Sequence, residues 1–318
     1  MNKHTELKPI PIAELMSKQF QGTNWYIEDL IPEGLTLLAG PAKIGKSFLA
    51  WNLATAIAHG GTALSALDCP EKRNVLYVAL EDPEPQLRER IGMMCPDGAP
   101  DGLFYMTDFQ DGKLNSTGIT VLEECIDRHL FEFVIIDTWR HLAPPNLLKG
   151  SAYDQDYSNM IPVQQLAHRK GIGILLVTHT RKSPDRDNPF NMIQGSMGMQ
   201  AGCDTMLMMK GSQFGSSLSV TGRRLQPQEY AISLKDGTWV IEGEVAKVHL
   251  SDEGKEILEL LQDAGARGMK VTDIVEETKR KRQAISKQLK KMLEKGIVLQ
   301  PEPRGKYYAN DDDDIGFD

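Results

Sequence analysis

The sequence predicts an α/β protein: a mainly parallel sheet flanked by helices, an antiparallel C-terminal extension, then a small winged helix-turn-helix domain. Three observations predict it. Short apolar runs alternate with amphipathic stretches as far as about residue 200, the pattern of a parallel sheet wrapped by helices. From 204 to 241 the pattern changes to short strands split by polar turns. Residues 251–310 then read as three helices and a hairpin, a separate unit of about sixty residues.

In order, residues 35–39 read as a strand, followed by a glycine-rich loop and a helix over 46–58. Residues 74–80 form an apolar strand and 85–91 a helix. The continuous apolar runs 133–136 and 172–177 suit strands buried on both faces. The helix between them, over 155–170, carries Pro162, which predicts a kink or a late start. Residues 205–209, 218–221, 230–234 and 238–241 form the antiparallel extension, with Lys235-Asp236-Gly237 as a hairpin turn and 242–248 as a linker. In the last unit helices are expected over 252–263, from Thr272 as a cap, and over 283–295 ended by Gly296. Ile285, Leu289, Met292 and Leu293 share one face of the third helix. Residues 297–299 and 307–309 pair around Pro303-Arg304-Gly305. The expected division is 1–245, including an N-terminal segment 1–20, then 250–310 and an acidic tail 311–318.

Composition excludes several classes. No apolar run approaches the roughly 18 residues that cross a bilayer. Residues 1–15 lack the apolar core of a secretory signal. Both point to the cytosol, with no membrane partner. Cys69, Cys95, Cys125 and Cys203 are scattered and read as reduced thiols, not as a zinc site or a disulfide framework. The net charge of −8 hides a segregation: a basic stretch near the C-terminus and a closing acidic run.

The chemistry starts at Gly40-Pro41-Ala42-Lys43-Ile44-Gly45-Lys46-Ser47, with Phe48 next. This is a P-loop at every defined position, between a strand and a helix. Its backbone N–H groups suit the phosphates of ATP, aided by the helix N-terminus. Lys46 reaches the β- and γ-phosphates and the Ser47 hydroxyl ligates Mg²⁺. Asp137, closing an apolar strand, supplies the second metal-side acid. Glu81, at the tip of the next strand, suits polarising the attacking water. His179, at another strand tip, suits contact with the γ-phosphate.

Taken in order, the strand tips at the P-loop, Glu81, Asp137 and His179 resemble those of RecA-like ATPases. The closer likeness is to the RepA-type hexameric helicases of plasmids and phages, relatives of the DnaB and KaiC families. Trp25-Tyr26-Ile27-Glu28-Asp29-Leu30-Ile31-Pro32-Glu33-Gly34, Ala79-Leu80-Glu81-Asp82, Gln194-Gly195-Ser196 and Thr221-Gly222-Arg223-Arg224 are similar to that group. One departure is Gln194, where the group usually has an arginine. The resemblance implies Glu81 as catalytic base, Asp137 as metal-side acid and His179 as γ-phosphate sensor. It implies Arg223 or Arg224 as a finger reaching the neighbouring subunit of a homohexamer. It also implies that the loops over 140–156 and 180–199 face a channel and touch single-stranded DNA through Arg140, Lys149, Arg181, Lys182 and Arg186. Trp139, Tyr153, Tyr157 and Phe190 are the aromatics there that can stack on bases.

In the last unit, a basic cluster that includes Lys287 lies at the start and outer face of the third helix. Arg280, Arg282, Gln283 and Ser286 suit a duplex groove, with Arg304 and Lys306 on the wing taking a phosphate. The acidic tail resembles the phenylalanine-bearing tip of bacterial single-stranded-DNA-binding proteins, which docks replication partners; Gly316 stands where that tip has proline, and Asp318 follows the phenylalanine. The expected function is an ATP-dependent, ring-forming replicative DNA helicase. A DNA-bound ATPase switch or loader, and a strand-exchange recombinase, are the alternatives.

Overall fold

The computed structural model describes residues 9–19, 22–109, 112–145, 151–181, 188–195, 197–212, 215–244, 252–294 and 297–310. Through the larger part run α1 (Ile12–Ser17), β1 (Trp25–Ile27), β2 (Ile31–Pro32), β3 (Gly34–Gly40), α2 (Lys46–His59), β4 (Gly61–Ala63), β5 (Leu67–Cys69) and β6 (Val75–Ala79). Next come α3 (Glu84–Met94), β7 (Leu103–Met106), α4 (Ser116–His129), β8 (Phe133–Asp137), α5 (Trp139–Leu142), α6 (Ala152–Lys170) and β9 (Gly173–His179). A 3₁₀ turn (Pro189–Met192), α7 (Met197–Ala201), β10 (Thr205–Ser212), β11 (Gly215–Gly222), β12 (Leu225–Lys235) and β13 (Thr238–Glu244) follow.

One sheet has the order β13-β12-β11-β10-β3-β9-β8-β6-β7. Its pairings from β7 to β10 are parallel and those from β10 to β13 antiparallel. This is the RecA-like α/β plan with the expected extension. Every residue of β3 is buried, so its alternate side chains serve two cores. On one face Leu38 joins Leu49, Leu53 and Ile57 of α2. On the other Leu37 joins Leu122 and Ile126 of α4 and Val163 and Leu166 of α6. Each such side chain contributes about 1.5–3 kcal/mol by leaving water.

Parallel register gathers the strand tips. Gly40 pairs with His179, and Ala79 with Asp137. The P-loop, both candidate acids and the candidate sensor therefore share the carboxyl end of the sheet.

Several expectations need correction. Helix α6 runs unbroken through Pro162 and starts early, because Ser151 and Asp154 form a reciprocal capping box. The two loops expected to face a channel carry more secondary structure than expected: α5 and the early α6 occupy 140–142 and 152–156, and the 3₁₀ turn, a Thr180–Ile193 bridge and α7 occupy part of 180–199. The β4–β5 hairpin, β7 and α4 have no counterpart in the sequence reading. The Asp236-Gly237 turn is as expected: both residues have positive φ, 49° and 80°, as a two-residue I′ turn requires.

In the C-terminal part, helices Asp252–Ala264, Val271–Thr278 and Arg282–Glu294 pack Ile257, Leu261, Ile274, Ile285, Leu289 and Met292 together. Strands β14 (Val298–Leu299) and β15 (Tyr308–Ala309) pair antiparallel, completing the winged helix-turn-helix. Leu293 is exposed at 38% and does not share the apolar face. Thr272 is not the cap. The helix starts one residue earlier, the Asp273 carboxylate accepts the Lys270 N–H at 3.0 Å, and the Thr272 hydroxyl donates to Asp273. Gly296, the linker residues 245–248 and the tail 311–318 lie outside the described residues. Among the described residues no helix is long and apolar enough to cross a membrane.

Candidate active site

The P-loop leaves β3 at Gly40 and turns into α2 through Gly45, whose φ of +97° suits glycine. A Cβ on Gly45 would also lie 2.9 Å from the Trp239 ring. Pro41, Ala42, Lys43 and Ile44 form the turn, with Lys43 at φ +62°. Lys46 opens α2 and is 5% exposed. Its ammonium donates to the Gly40 and Pro41 carbonyls at 2.9 and 2.8 Å and lies 3.2 Å from His179 Nδ1. Burial pulls the Lys46 ammonium below its ordinary value, opposed by the charges of Asp137 and Glu81.

Asp137 is 3% exposed. Its Oδ2 accepts the Tyr77 hydroxyl at 2.7 Å, while Oδ1 is buried without a hydrogen-bond partner. Burial raises its carboxyl above the usual range, with the Tyr77 and Ser47 hydroxyls pulling the other way. Buried polar atoms are nearly always satisfied, so an orphan calls for an explanation. Magnesium prefers oxygen ligands and retains several waters. The buried orphan Oδ1 and the Ser47 hydroxyl beside it fit that ion. Among the described residues no group of three or more His, Cys, Asp or Glu side chains could hold a metal by itself.

Glu81 is exposed just beyond β6. Its Oε1 accepts the Thr138 hydroxyl at 2.9 Å and lies 3.4 Å from His141 Nε2. Neighbouring Asp82 is held by Arg90, whose guanidinium lies 4.9 Å from the centre of the half-buried Phe48 ring. Burial, then the Lys46 charge, lowers the His179 pKa, so its imidazole is neutral at neutral pH. Lys46, Ser47, Glu81, Asp137 and His179 thus form one cluster.

Residues 2–185 match the AAA domain family model. The chain belongs to that family. Residues 255–299 match the bacterial regulatory protein, arsR family. The chain is 24% identical to the DNA repair protein RadA of Streptococcus pneumoniae over 216 residues, which are 65% of this chain. It spans 44% of that relative's length. Among solved structures, the RadB recombinase has a TM-score of 0.47 at 15% identity, covering 66% of this chain and 91% of its own. A KaiC-like protein from Pyrococcus horikoshii OT3 has a TM-score of 0.44 at 13% identity, with 68% and 93% covered.

In this AAA-domain protein Arg223 and Arg224 stand apart from the P-loop. Gly222 pairs with Thr205, and Thr205 with Thr36, near the start of β3. Thr36 to Gly40 spans four residues, about 13 Å along the strand. Both arginines lie at the opposite end of the sheet from the cluster. They are exposed and ion-paired, Arg224 with Glu33 at 2.9 Å and Arg223 with Asp204 at 3.5 Å.

Arg140 on α5 and Arg181 after β9 are exposed at the carboxyl end. Lys149, Lys182 and Arg186 lie outside the described residues. In the winged helix Arg282, Gln283, Lys287 and Arg304 are exposed. Arg280 is tied to Glu256 at 2.9 Å, and Lys306 donates to the Arg267 carbonyl at 2.6 Å.

Sequence reasoning missed three supports of the site. Tyr77 orients Asp137 and stacks on Trp51 with centroids 3.7 Å apart. Trp239 of β13 donates its indole N–H to the Gly45 carbonyl at 3.1 Å. Asn52 of α2 accepts the Trp239 backbone N–H at 2.7 Å. Trp239 belongs to an edge strand remote in sequence, so no local signal marks it.

Proposed function

We propose that this chain is an ATP-driven DNA motor, a ring-forming replicative helicase of plasmid or phage type that hydrolyses ATP between subunits. The observation that carries the reading is the split between the two ends of the sheet. The P-loop, Glu81, Asp137 and His179 share one end, and Arg223 and Arg224 occupy the other. An arginine so placed is out of reach of its own chain's P-loop, so in this reading it serves a neighbour's nucleotide.

In this reading the P-loop N–H groups and Lys46 hold the phosphates. Ser47 and Asp137 would hold Mg²⁺, which when bound would supply neutralisation of charge on the phosphoryl oxygens. Lys46 leaves the loop carbonyls for the γ-phosphate. Glu81, positioned by Thr138, takes the proton of the attacking water, and His179 contacts the γ-phosphate. Arg223 or Arg224 of an adjacent subunit completes the site. Arg140 and Arg181 follow the DNA backbone.

Steady-state ATPase activity against protein concentration, with and without single-stranded DNA, tests this beside forked-duplex unwinding. A steep rise with concentration, stimulation by DNA, loss on Glu81→Gln and unwinding of the fork are expected. Linear, DNA-indifferent activity would overturn the motor. The arsR-family match favours a second reading, a DNA-bound ATPase switch or loader, which predicts duplex binding and ATPase without unwinding. The likeness to a DNA repair protein makes strand exchange on homologous duplexes the control for a recombinase.

A further inference from the structure

Four aromatic residues border the loops at the carboxyl end of the sheet, and they differ in what they leave free. Trp139 is 5% exposed within the core, and Phe190 packs half-buried against the same cluster. Tyr153 and Tyr157 are instead 44% and 39% exposed. They occupy successive turns of α6, with ring planes 9° apart and centroids 6.1 Å apart. The closed Trp51–Tyr77 stack, at 3.7 Å, shows what an aromatic pair looks like when packing is its role.

The placement is specific. The first turns of α6 stand between the two loops. Asn159 donates to the Pro144 carbonyl at 3.4 Å on one side, and a Cβ at Gly195 would meet the Asp156 carboxylate on the other. Arg140 and Arg181 open those same loops and are exposed. The acids of this turn are directed elsewhere: Asp154 accepts the Ser151 hydroxyl at 2.7 Å, and Asp156 faces the Gly195 turn. Near-parallel exposed aromatic faces flanked by cations are the two elements of a site for single strands, where every base has a face to stack and the backbone needs only positive charge.

We propose that Tyr153 and Tyr157 form a base-stacking platform for single-stranded DNA. This rests on the motor reading and deepens it by naming where the strand is gripped. Arg140 and Arg181 take phosphates on either side, and the tyrosines hold bases without reading their identity.

The test uses the full chain with Mg²⁺, a non-hydrolysable ATP analogue and an end-labelled oligo-dT, followed by anisotropy. Tyr153→Ala/Tyr157→Ala is expected to weaken binding about ten-fold or more. The salt dependence should keep its slope, because no phosphate contact is lost. Tyr153→Phe/Tyr157→Phe should bind like the parent, and basal ATPase without DNA should match the parent in both variants. An oligonucleotide of abasic sites should bind parent and alanine variant alike. Equal oligo-dT affinity for the parent and alanine variant overturns the platform and leaves the motor intact. A phenylalanine variant as weak as the alanine one also overturns it, since stacking survives that change. A parent that binds no single-stranded DNA overturns the motor reading itself.

Discussion

Asp137 and Asp204 lie at opposite ends of the same sheet, and their surroundings differ. Asp204 Oδ2 accepts the Leu35 N–H at 2.9 Å and lies 2.8 Å from His168 Nε2. Its Oδ1 accepts Gln164 at 2.9 Å, with Arg223 at 3.5 Å. Asp204 therefore ties the start of β3 to α6 and to the β11–β12 turn. Asp137 is more deeply buried, yet has one oxygen satisfied and one orphaned. The satisfied carboxylate belongs to the scaffold. In the proposed reading the incomplete one is where Mg²⁺ is held, because leaving a buried acceptor unmade carries a cost.

Substitutions at the two aspartates should separate these roles. Asp137→Asn should reduce Mg²⁺-dependent ATP hydrolysis by about a thousand-fold, while the melting temperature of the nucleotide-free protein stays level or rises. A large fall in melting temperature would show that Asp137 is structural. Asp204→Ala should do the reverse. It leaves the Leu35 N–H and the Gln164 amide unmatched, costing about 3 kcal/mol and roughly 10 °C in melting temperature, with folded protein hydrolysing ATP normally at saturating protein. A thermally silent Asp204→Ala would sink the comparison.

Smaller changes sharpen it. Trp239→Phe keeps the ring against Gly45 and removes only the indole hydrogen bond, worth about 1 kcal/mol. A rise of roughly five-fold in KM for ATP with kcat little changed is expected from initial rates. An unaltered KM would mean that the edge strand merely covers the loop. The smallest effect is in pH. His179 has its pKa lowered below the ordinary 6.5, mainly by burial. Above that value both folded and unfolded chains carry it neutral. As pH falls below 6.5 the unfolded chain takes up the proton first, so stability drops across the window down to the lowered folded value. Melting curves at pH 7.5 and 5.5 should therefore show a larger loss for the parent than for His179→Asn. Parallel losses would place the imidazole outside the buried network.

What the sequence made legible was whatever is local. The apolar runs at 133–136 and 172–177 are continuous because those strands are covered on both faces, and the P-loop spacing is dictated by one turn. The strand tips follow, since parallel strands end together. What stayed hidden depends on contacts between distant residues. Tyr77 reads as one more apolar strand residue until its hydroxyl is seen on Asp137. Trp239 reads as an edge-strand aromatic until its indole is seen on Gly45. The start of α6 is hidden because Pro162 signals a break inside the helix, whereas the Ser151–Asp154 capping box fixes where it begins. Arg223 and Arg224 are singled out by resemblance alone, and their ion pairs to Asp204 and Glu33 lie beyond any local pattern.

The indoles around the loop give the protein a built-in optical gauge. Two of the four tryptophans in the chain are wired to the site, Trp239 through the Gly45 carbonyl and Trp51 through the Tyr77 ring that holds Asp137. A phosphate settling over the loop and a cation meeting the carboxylate would each disturb a different chromophore. Replacing either tryptophan with phenylalanine would separate the two intrinsic emission signals, so the order of arrival of nucleotide and metal can be followed without a label.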